Sequence, residues 1–552
     1  MTDKFEINID GDPNIVGDEQ TELVYQIGRG KEQTLRIDLG TSFNTLKKYF
    51  PGMAKPRNSN GLTDQLLLGM IPMKNGLLRP DLLRHSAHNN EHLKEMELGK
   101  ELLFLLNPEH KRKCDGILVT HHHVDHIGEI RNVREDVPIY QTEISTAGSR
   151  FMEEAGTYQD LVTFVTRGEG YSRKEKSRDR PITHVEDLKN MIARFGKNLT
   201  AKFLPNDHSV PGSGGYLVTG NVKGEKVSIL KTGDFRFHGL TDDSKTMIET
   251  AAKAKPLVVI IETTNAKEGD KEVLSEADCK EGLIELVQER DQDFFFTSSP
   301  GRNTQTHESA YIASQKRGMT HLISPKMAFY FKLLADTGVQ HPFINPNYKP
   351  GDDINNLLGE NMGVYLAQKK MGRLLKYGHS DEMIGKDYVK WMREFLMPNG
   401  KMSKFVHTAH DIHRNQSKYF LNVDSTYDLS ELFDIRPNPS NTTFTTLNPD
   451  PFDTETGIDR DRWYNWAEKF SDEESMAYHS SGHTDRKGLV WSVKTLAEAN
   501  PDQTVYFVPV HGEHPEEFAG IIKEAGVKNA EVIIPKRGMK IDVLDLYEKS
   551  KR

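Results

Sequence analysis

The chain begins with short alternating runs. FEINI, TELVYQIG and TLRIDLG place apolar side chains at every second position, the period of half-buried strands, with Gly-rich turns between them. Over residues 41–113 the period lengthens, and LTDQLLLGMIPM and NEHLKEMELGKELLFLL predict a mainly helical excursion. GILVT is a continuous apolar run, as expected of a buried strand, and PIYQT, GYLVTG, KVSILKTGD and LVVIIETT predict further strands. From about residue 270 helical and strand patterns alternate, in KEGLIELVQER, DFFFTSSP, THESAYIASQKRG and THLISP. That alternation predicts an α/β unit in its own right. Residues 421–470, rich in Asn, Asp, Pro and Thr, read as long loops. A helix and a strand are then expected from SGHTDRKGLVWSVKTLAEAN and TVYFVPVHGEH.

Size and composition narrow the class. A chain of 552 residues calls for at least two domains. No run of about 18 apolar residues is present, so no membrane partner is expected. The start, MTDKFEINIDGD, lacks the pattern of a secretory signal, and Cys114 and Cys279 lack CxxC spacing, which together point to a reducing cytoplasm. A net charge of −9 excludes a generally basic nucleic-acid-coating protein but not an enzyme with a local basic channel. The charged stretch RGEGYSRKEKSRDRP, residues 167–181, reads as a solvated loop.

Candidate chemistry gathers where apolar strands end. GILVT runs straight into HHHVDH, and on extended chain His121 and His123 face the same way while His122 faces the other. Asp125 and His126 follow on the turn and can address a second ion. Imidazoles with carboxylates suit zinc, with manganese as the alternative, and not calcium. Three more strand ends carry donors of this kind: His208 near LPNDHSVPG, Asp234 in ILKTGD and His511 in VYFVPVHGEH. One strand-end His or Asp alone is an ordinary turn residue. Several in one chain predict a sheet edge on which loops converge around metal.

HxHxDH, a distant His and TGD together resemble the metallo-β-lactamase superfamily. The resemblance implies an αβ/βα sandwich with two divalent ions. His121, His123, His208 and Asp234 would hold one ion; Asp125, His126 and the bridging Asp234 would hold the other. Asp38, in RIDLG, matches the first motif, where the acid steadies the site. Further residues resemble the β-CASP nuclease branch: Glu262 in LVVIIETTNA, His483 and His479 in AYHSSGHTDRKG, and His511 in PVHGEH. About 220 residues separate Glu262 from His483, where that branch inserts an extra α/β domain. The implied division is 1–268 and 471–552 for the sandwich and 269–470 for the insert.

A histidine at His511 is typical of RNA-cleaving members and would complete the second ion's ligands. HxSGH with PVHGE is most similar to ribonuclease J. The implied activity is a two-metal ribonuclease acting in processing or decay of single-stranded RNA, by exo- or endonucleolytic hydrolysis that leaves 5′-phosphate ends. A β-CASP DNA nuclease and a small-molecule ester or thioester hydrolase are the alternatives. Asp125, Asp38, Glu262 and His483 are the catalytic candidates, with Glu262 hydrogen-bonded to His483 and His483 serving the scissile phosphate or the leaving oxygen. His479, Ser480, Ser481, Gly482, Ser298, Ser299 and Asn303 are candidate RNA contacts, each also able to serve as a turn or helix cap.

Two departures from ribonuclease J stand out. About forty residues follow His511, where that family usually has a further domain carrying dimer contacts, so a homo-oligomer is left open. SKFVHTAHDIHRNQSKYF stands where that family commonly has a Gly-Thr-Gln-Gly-like turn. Its histidines, His407, His410 and His413, raise a third metal site as an idea, and the Thr, Ala and Arg around them favour a polar face instead.

Overall fold

Which sheets face each other is decided by the alternation of side chains along their strands. The computed structural model describes residues 3–50, 61–74, 76–79, 81–82, 112–155, 160–166, 177–267, 273–368, 387–449, 451, 454–473 and 476–551. Among these, three seven-stranded sheets are present. The first sheet runs Met539–Asp542, Lys4–Ile9, Thr21–Gln26, Gln33–Ile37, Gly116–Leu118, Ile139–Gln141, Ile182–His184. The second runs Ala530–Val532, Val505–Val510, Val258–Glu262, Glu225–Lys231, Gly214–Val222, Leu199–Pro205, Ile192–Phe195. Each sheet is antiparallel at one end and parallel at the other.

The two sheets share one core. Phe5, Ile7, Leu23, Leu35 and Leu118 of the first meet Phe203, Val218, Ile229, Val258 and Val508 of the second. In Val505–Val510 the side chains divide by parity. Tyr506, Val508 and Val510 enter the shared core, while Val505 and Phe507 pack outward on helices Asp243–Lys253, Arg486–Glu498 and Phe518–Ala525. Covered on both faces, the strand reads as an unbroken apolar run. Outside the first sheet, Leu62, Leu66, Val119 and Ile127 form the other covering layer. The layer order is therefore αβ/βα. Of the expected helical excursion, Phe43–Tyr49 and Gly61–Leu67 are helices, and NEHLKEMELGKELLFLL lies outside the described residues. So do residues 167–176 of the charged stretch.

The third sheet takes strands from residues 294–477, all parallel: Val406–His407, Met362–Tyr365, Thr320–Ile323, Tyr419–Val423, Phe294–Ser298, Thr442–Thr446, Met476–Ala477. Phe294 and Phe296 pack on one face and Phe295 on the other. The expectation of long loops over 421–470 is corrected here. Thr442–Thr446 is a buried strand and Thr454–Phe470 a 17-residue helix. Their apolar anchors include Phe444 in the strand and Trp463, Ala467 and Phe470 in the helix, which the Asn and Pro punctuation hides. The helix Glu143–Glu154 of the sandwich joins this unit, with Ala147 and Ala155 packed among residues of Pro325–Asp336. No helix among the described residues is long and apolar enough to cross a membrane.

Candidate metal centre

GILVT ends the strand Gly116–Leu118, and His121 and His123 then lie on extended chain before the short helix Val124–Ile127. The backbone of this turn is bolted down. Leu39 N–H donates to the His126 carbonyl at 2.8 Å, and Glu19 N–H to the Asp125 carbonyl at 3.0 Å. Gly40 tolerates no side chain, because a Cβ there would stand 1.5 Å from the Asp125 carbonyl oxygen. His122 points away, buried with neither ring nitrogen hydrogen-bonded, its ring so close to helix Glu143–Glu154 that a Cβ on Gly148 would stand 2.3 Å from its Nε2.

Three overlapping donor groups form among the described residues, the third being Asp234, His483 and His511. His121, His123, His208 and Asp234 offer atoms all within 4.8 Å of one another, and so do Asp125, His126 and His511. His123 Nδ1 lies 3.0 Å from His121 Nε2 and 3.1 Å from His208 Nε2. Asp234 Oδ2 joins the groups, 3.6 Å from His121 Nε2, 3.9 Å from His208 Nε2, 3.1 Å from His126 Nε2 and 3.5 Å from His511 Nε2. His511 Nε2 also lies 3.2 Å from Asp125 Oδ2. Asp234 thus occupies the bridging position.

The outward nitrogens are held by the fold. Asp38 Oδ2 lies 2.9 Å from His126 Nδ1, and the Gly482 carbonyl 2.6 Å from His208 Nδ1. Thr120 donates its hydroxyl to Asp38 Oδ2 at 2.8 Å and lies 3.2 Å from His121 Nδ1. Asp38 thus stands behind His126 and steadies its ring, and it enters none of the donor groups. Asp38 and His511 both sit in the left-handed backbone region, at φ 59° and 56°. Local strain of this kind persists where the surrounding structure over-determines it, and it gathers at functional sites.

Charge follows the same division. Burial drives His121 and His123 well below the ordinary histidine range and His208 to about 3, so all three are neutral donors. For Asp234 burial pulls upward, yet His126 and His511 beside it hold the carboxyl well below its usual range. Burial pulls His511 down, but Asp234 and the hydrogen bond with Asp125 raise it to about 9. A set of imidazoles whose lone pairs face one another at about 3 Å, closed by carboxylates, fits divalent ions of the zinc class. An ion there replaces the protons that Asp234 otherwise draws onto His126 and His511.

His483 stands beside the donors, its ring centroid 5.2 Å from that of His208 and 5.3 Å from that of His511. Its side chain is 20% exposed, against 1% for His208 and His511. The expected hydrogen bond from Glu262 is not made: Glu262 Oε2 is 3.7 Å from His483 Nδ1. Glu262 instead accepts from Thr264 N–H at 2.9 Å and Thr484 N–H at 3.2 Å, fixing the two loops that carry the site. Thr264 Oγ1 is the group that reaches His483 Nδ1, at 3.2 Å. The residues missed from sequence, Thr120 and Thr264, lie within quoted motifs; only their adjacency to the ligands could have pointed to them.

Several candidate substrate contacts serve the fold. Ser298 Oγ pairs with Thr446 Oγ1, Ser299 donates to Asn422, and Asn303 caps helix Thr304–Gln315 and donates to Glu276. These three are buried. Ser481 Oγ accepts from His483 N–H and Asn265, Gly482 holds His208, Ser480 is buried, and His479 lies 3.2 Å from the Leu447 carbonyl. Arg236, wholly buried, ties this loop to the third-sheet unit, donating to Asp207, Glu276, Gln305 and the Ser481 carbonyl. His407, His410 and His413 do not converge and form no donor group among the described residues.

No family model matches the chain, and no curated protein matches it. Among solved structures, a protein of unknown function from Enterococcus faecalis V583 matches 98% of this chain and 100% of its own, with 16% identity and a TM-score of 0.63. That likeness concerns the fold. The subclass B3 metallo-β-lactamase BJP-1 of Bradyrhizobium japonicum matches 45% of this chain and 75% of its own, with 14% identity. The Rm3 metallo-β-lactamase matches 46% and 77%, with 11% identity. Both have TM-scores of 0.21. The chain itself brings two facing sheets together in αβ/βα order and, among the described residues, gathers a His/Asp cluster able to hold divalent metal.

Proposed function

We propose that the protein is a metal-dependent hydrolase of the metallo-β-lactamase superfamily and, more closely, a β-CASP nuclease that cleaves single-stranded RNA in the manner of ribonuclease J. The observation that carries the reading is His483, a partly exposed imidazole set against a buried donor cluster at the seam with the third-sheet unit. Divalent ions at the first two donor groups would supply Lewis acidity and an activated water. The chain's own residues do the rest. Asp234 keeps the donor groups together, and Asp38 and the Gly482 carbonyl orient His126 and His208. His483 reaches the phosphodiester and delivers a proton to the leaving 3′-oxygen, while water attacks phosphorus in line and leaves a 5′-phosphate. A whole parallel-sheet unit beside the site supports a polymeric substrate over a small ester. His511 in PVHGEH, typical of RNA-cleaving relatives, supports RNA over DNA.

Matched RNA and DNA oligonucleotides, with 5′-monophosphate or 5′-hydroxyl ends and labelled at both ends, test this alongside metal analysis. Cleavage of RNA to 5′-phosphate products, dependent on bound metal, is expected. Faster turnover of DNA, or thioester hydrolysis without nuclease activity, would overturn the RNA reading.

A further inference from the structure

Thr264 lies where two loops meet, half-buried, one turn beyond the strand Val258–Glu262. Its Oγ1 makes three contacts: 2.8 Å to the His511 carbonyl, 3.0 Å to His511 Nδ1 and 3.2 Å to His483 Nδ1. A hydroxyl has one proton and two lone pairs. The carbonyl can only accept, so it takes the proton. Both imidazole contacts must then run the other way, with Nδ1–H donating to Oγ1. Two histidines on different loops are thereby fixed with Nδ1–H held by Oγ1 and Nε2 left to face the site. For His511 that nitrogen faces Asp125 Oδ2 and Asp234 Oδ2, at 3.2 and 3.5 Å. His483 offers a donor atom to the same carboxylate, since Asp234, His483 and His511 form a third convergent group.

We infer that Thr264 is a positioning residue that sets the tautomer of His511 and His483 together, and so couples the second metal ligand set to the proton-carrying histidine. Thr120 does the comparable task across the site for His121, but Asp38 takes its proton there, so that pair has a carboxylate behind it. At Thr264 the hydroxyl works alone: Glu262 is engaged by the Thr264 and Thr484 amides and stays 3.7 Å from His483. The inference rests on the donor cluster being a metal centre and not on RNA being the substrate.

The test uses the full chain and zinc alone. Competition against a chelator, with metal counted in the folded protein, compares the native protein with T264S and T264V. T264V is expected to weaken one of the two zinc ions about 10- to 100-fold and spare the other, the range for losing a residue that orients a ligand. T264S, which restores the hydroxyl, is expected to keep the native affinity for both. Imidazole nitrogen NMR of the native zinc-loaded protein is expected to show Nδ1 protonated in both His483 and His511. Unchanged affinity for both ions in folded T264V, or an unprotonated Nδ1 at either histidine, would overturn the inference. The NMR result decides even where T264V does not fold, and neither readout depends on cleavage.

Discussion

Two segments among the described residues are dense in histidine, and only one of them makes a donor cluster. Residues 121–126 leave the first sheet at its edge, and Asp38, His208, Asp234 and His511 arrive there from other strand ends. Residues 407–413 supply three histidines at three-residue spacing, but among the described residues no further metal-type donor gathers with them. His407 stands 3.3 Å from the Tyr419 hydroxyl, His410 is exposed, and His413 faces the Ile435 carbonyl at 2.9 Å. Local density of imidazole is therefore a poor guide to metal. What matters is the number of strand ends that meet and whether each ring's second nitrogen is already engaged. His122 makes the same point inside the dense cluster, buried and facing the wrong way.

The largest effect is expected from removing the residue on which the convergence turns. Asp234→Ala should strip both ions, seen by metal analysis of the folded protein, and take cleavage below detection; retained metal at full stoichiometry would break the contrast. His483→Ala should keep both ions while the rate falls about 10²- to 10⁴-fold, the usual share of a proton-transfer group. Loss of metal in that variant would make His483 a ligand. Asp38→Ala should leave the donors in place but cost about 10- to 100-fold in affinity for an ion, measured by chelator competition.

A subtler effect separates buried histidines that hold nothing from those in the cluster. Burial lowers His321 to about 3, and neither of its ring nitrogens is hydrogen-bonded. The unfolded chain takes up that proton below about pH 6.5, while the folded protein refuses it until near 3. Stability from this group is therefore intact above about 6.5 and falls as the pH drops towards 3. His321→Leu should recover about 2 kcal/mol of that loss at pH 5 in denaturant unfolding. An acid limb identical to the native one would refute the assignment. The smallest effect is expected from replacing His407, His410 and His413 together by Ala, which should leave metal content unchanged.

Much of the cluster could be read from the sequence because each ligand ends an apolar run: His121 and His123 after GILVT, Asp234 after ILKTG, His511 after VYFVPV. Burial on both faces makes such ends visible without a structure, as the close of an unbroken apolar run. Hydroxyls were not visible. Thr264 resembles any other threonine until three partners from two loops surround it, and the expected Glu262–His483 bond gave way to it over a few tenths of an ångström. The partners of Ser298, Ser299 and Asn303 were hidden for a related reason. A polar residue at a strand end is equally suited to a ligand and to its own fold, and the sequence does not say which neighbours bury it. The strand TTFTT and the helix ending at Phe470 were hidden because their burial depends on a few aromatics set in polar surroundings.

Arg236 also limits how the molecule can move. Its guanidinium is fully enclosed and has partners on both the sandwich and the third-sheet unit. Parting the two units there would strand a charge away from water, at about 3–5 kcal/mol for one severed partner. The seam at that spot therefore serves as a fulcrum. Any parting of the two units would have to pivot about it, with the widest gap farthest from the guanidinium.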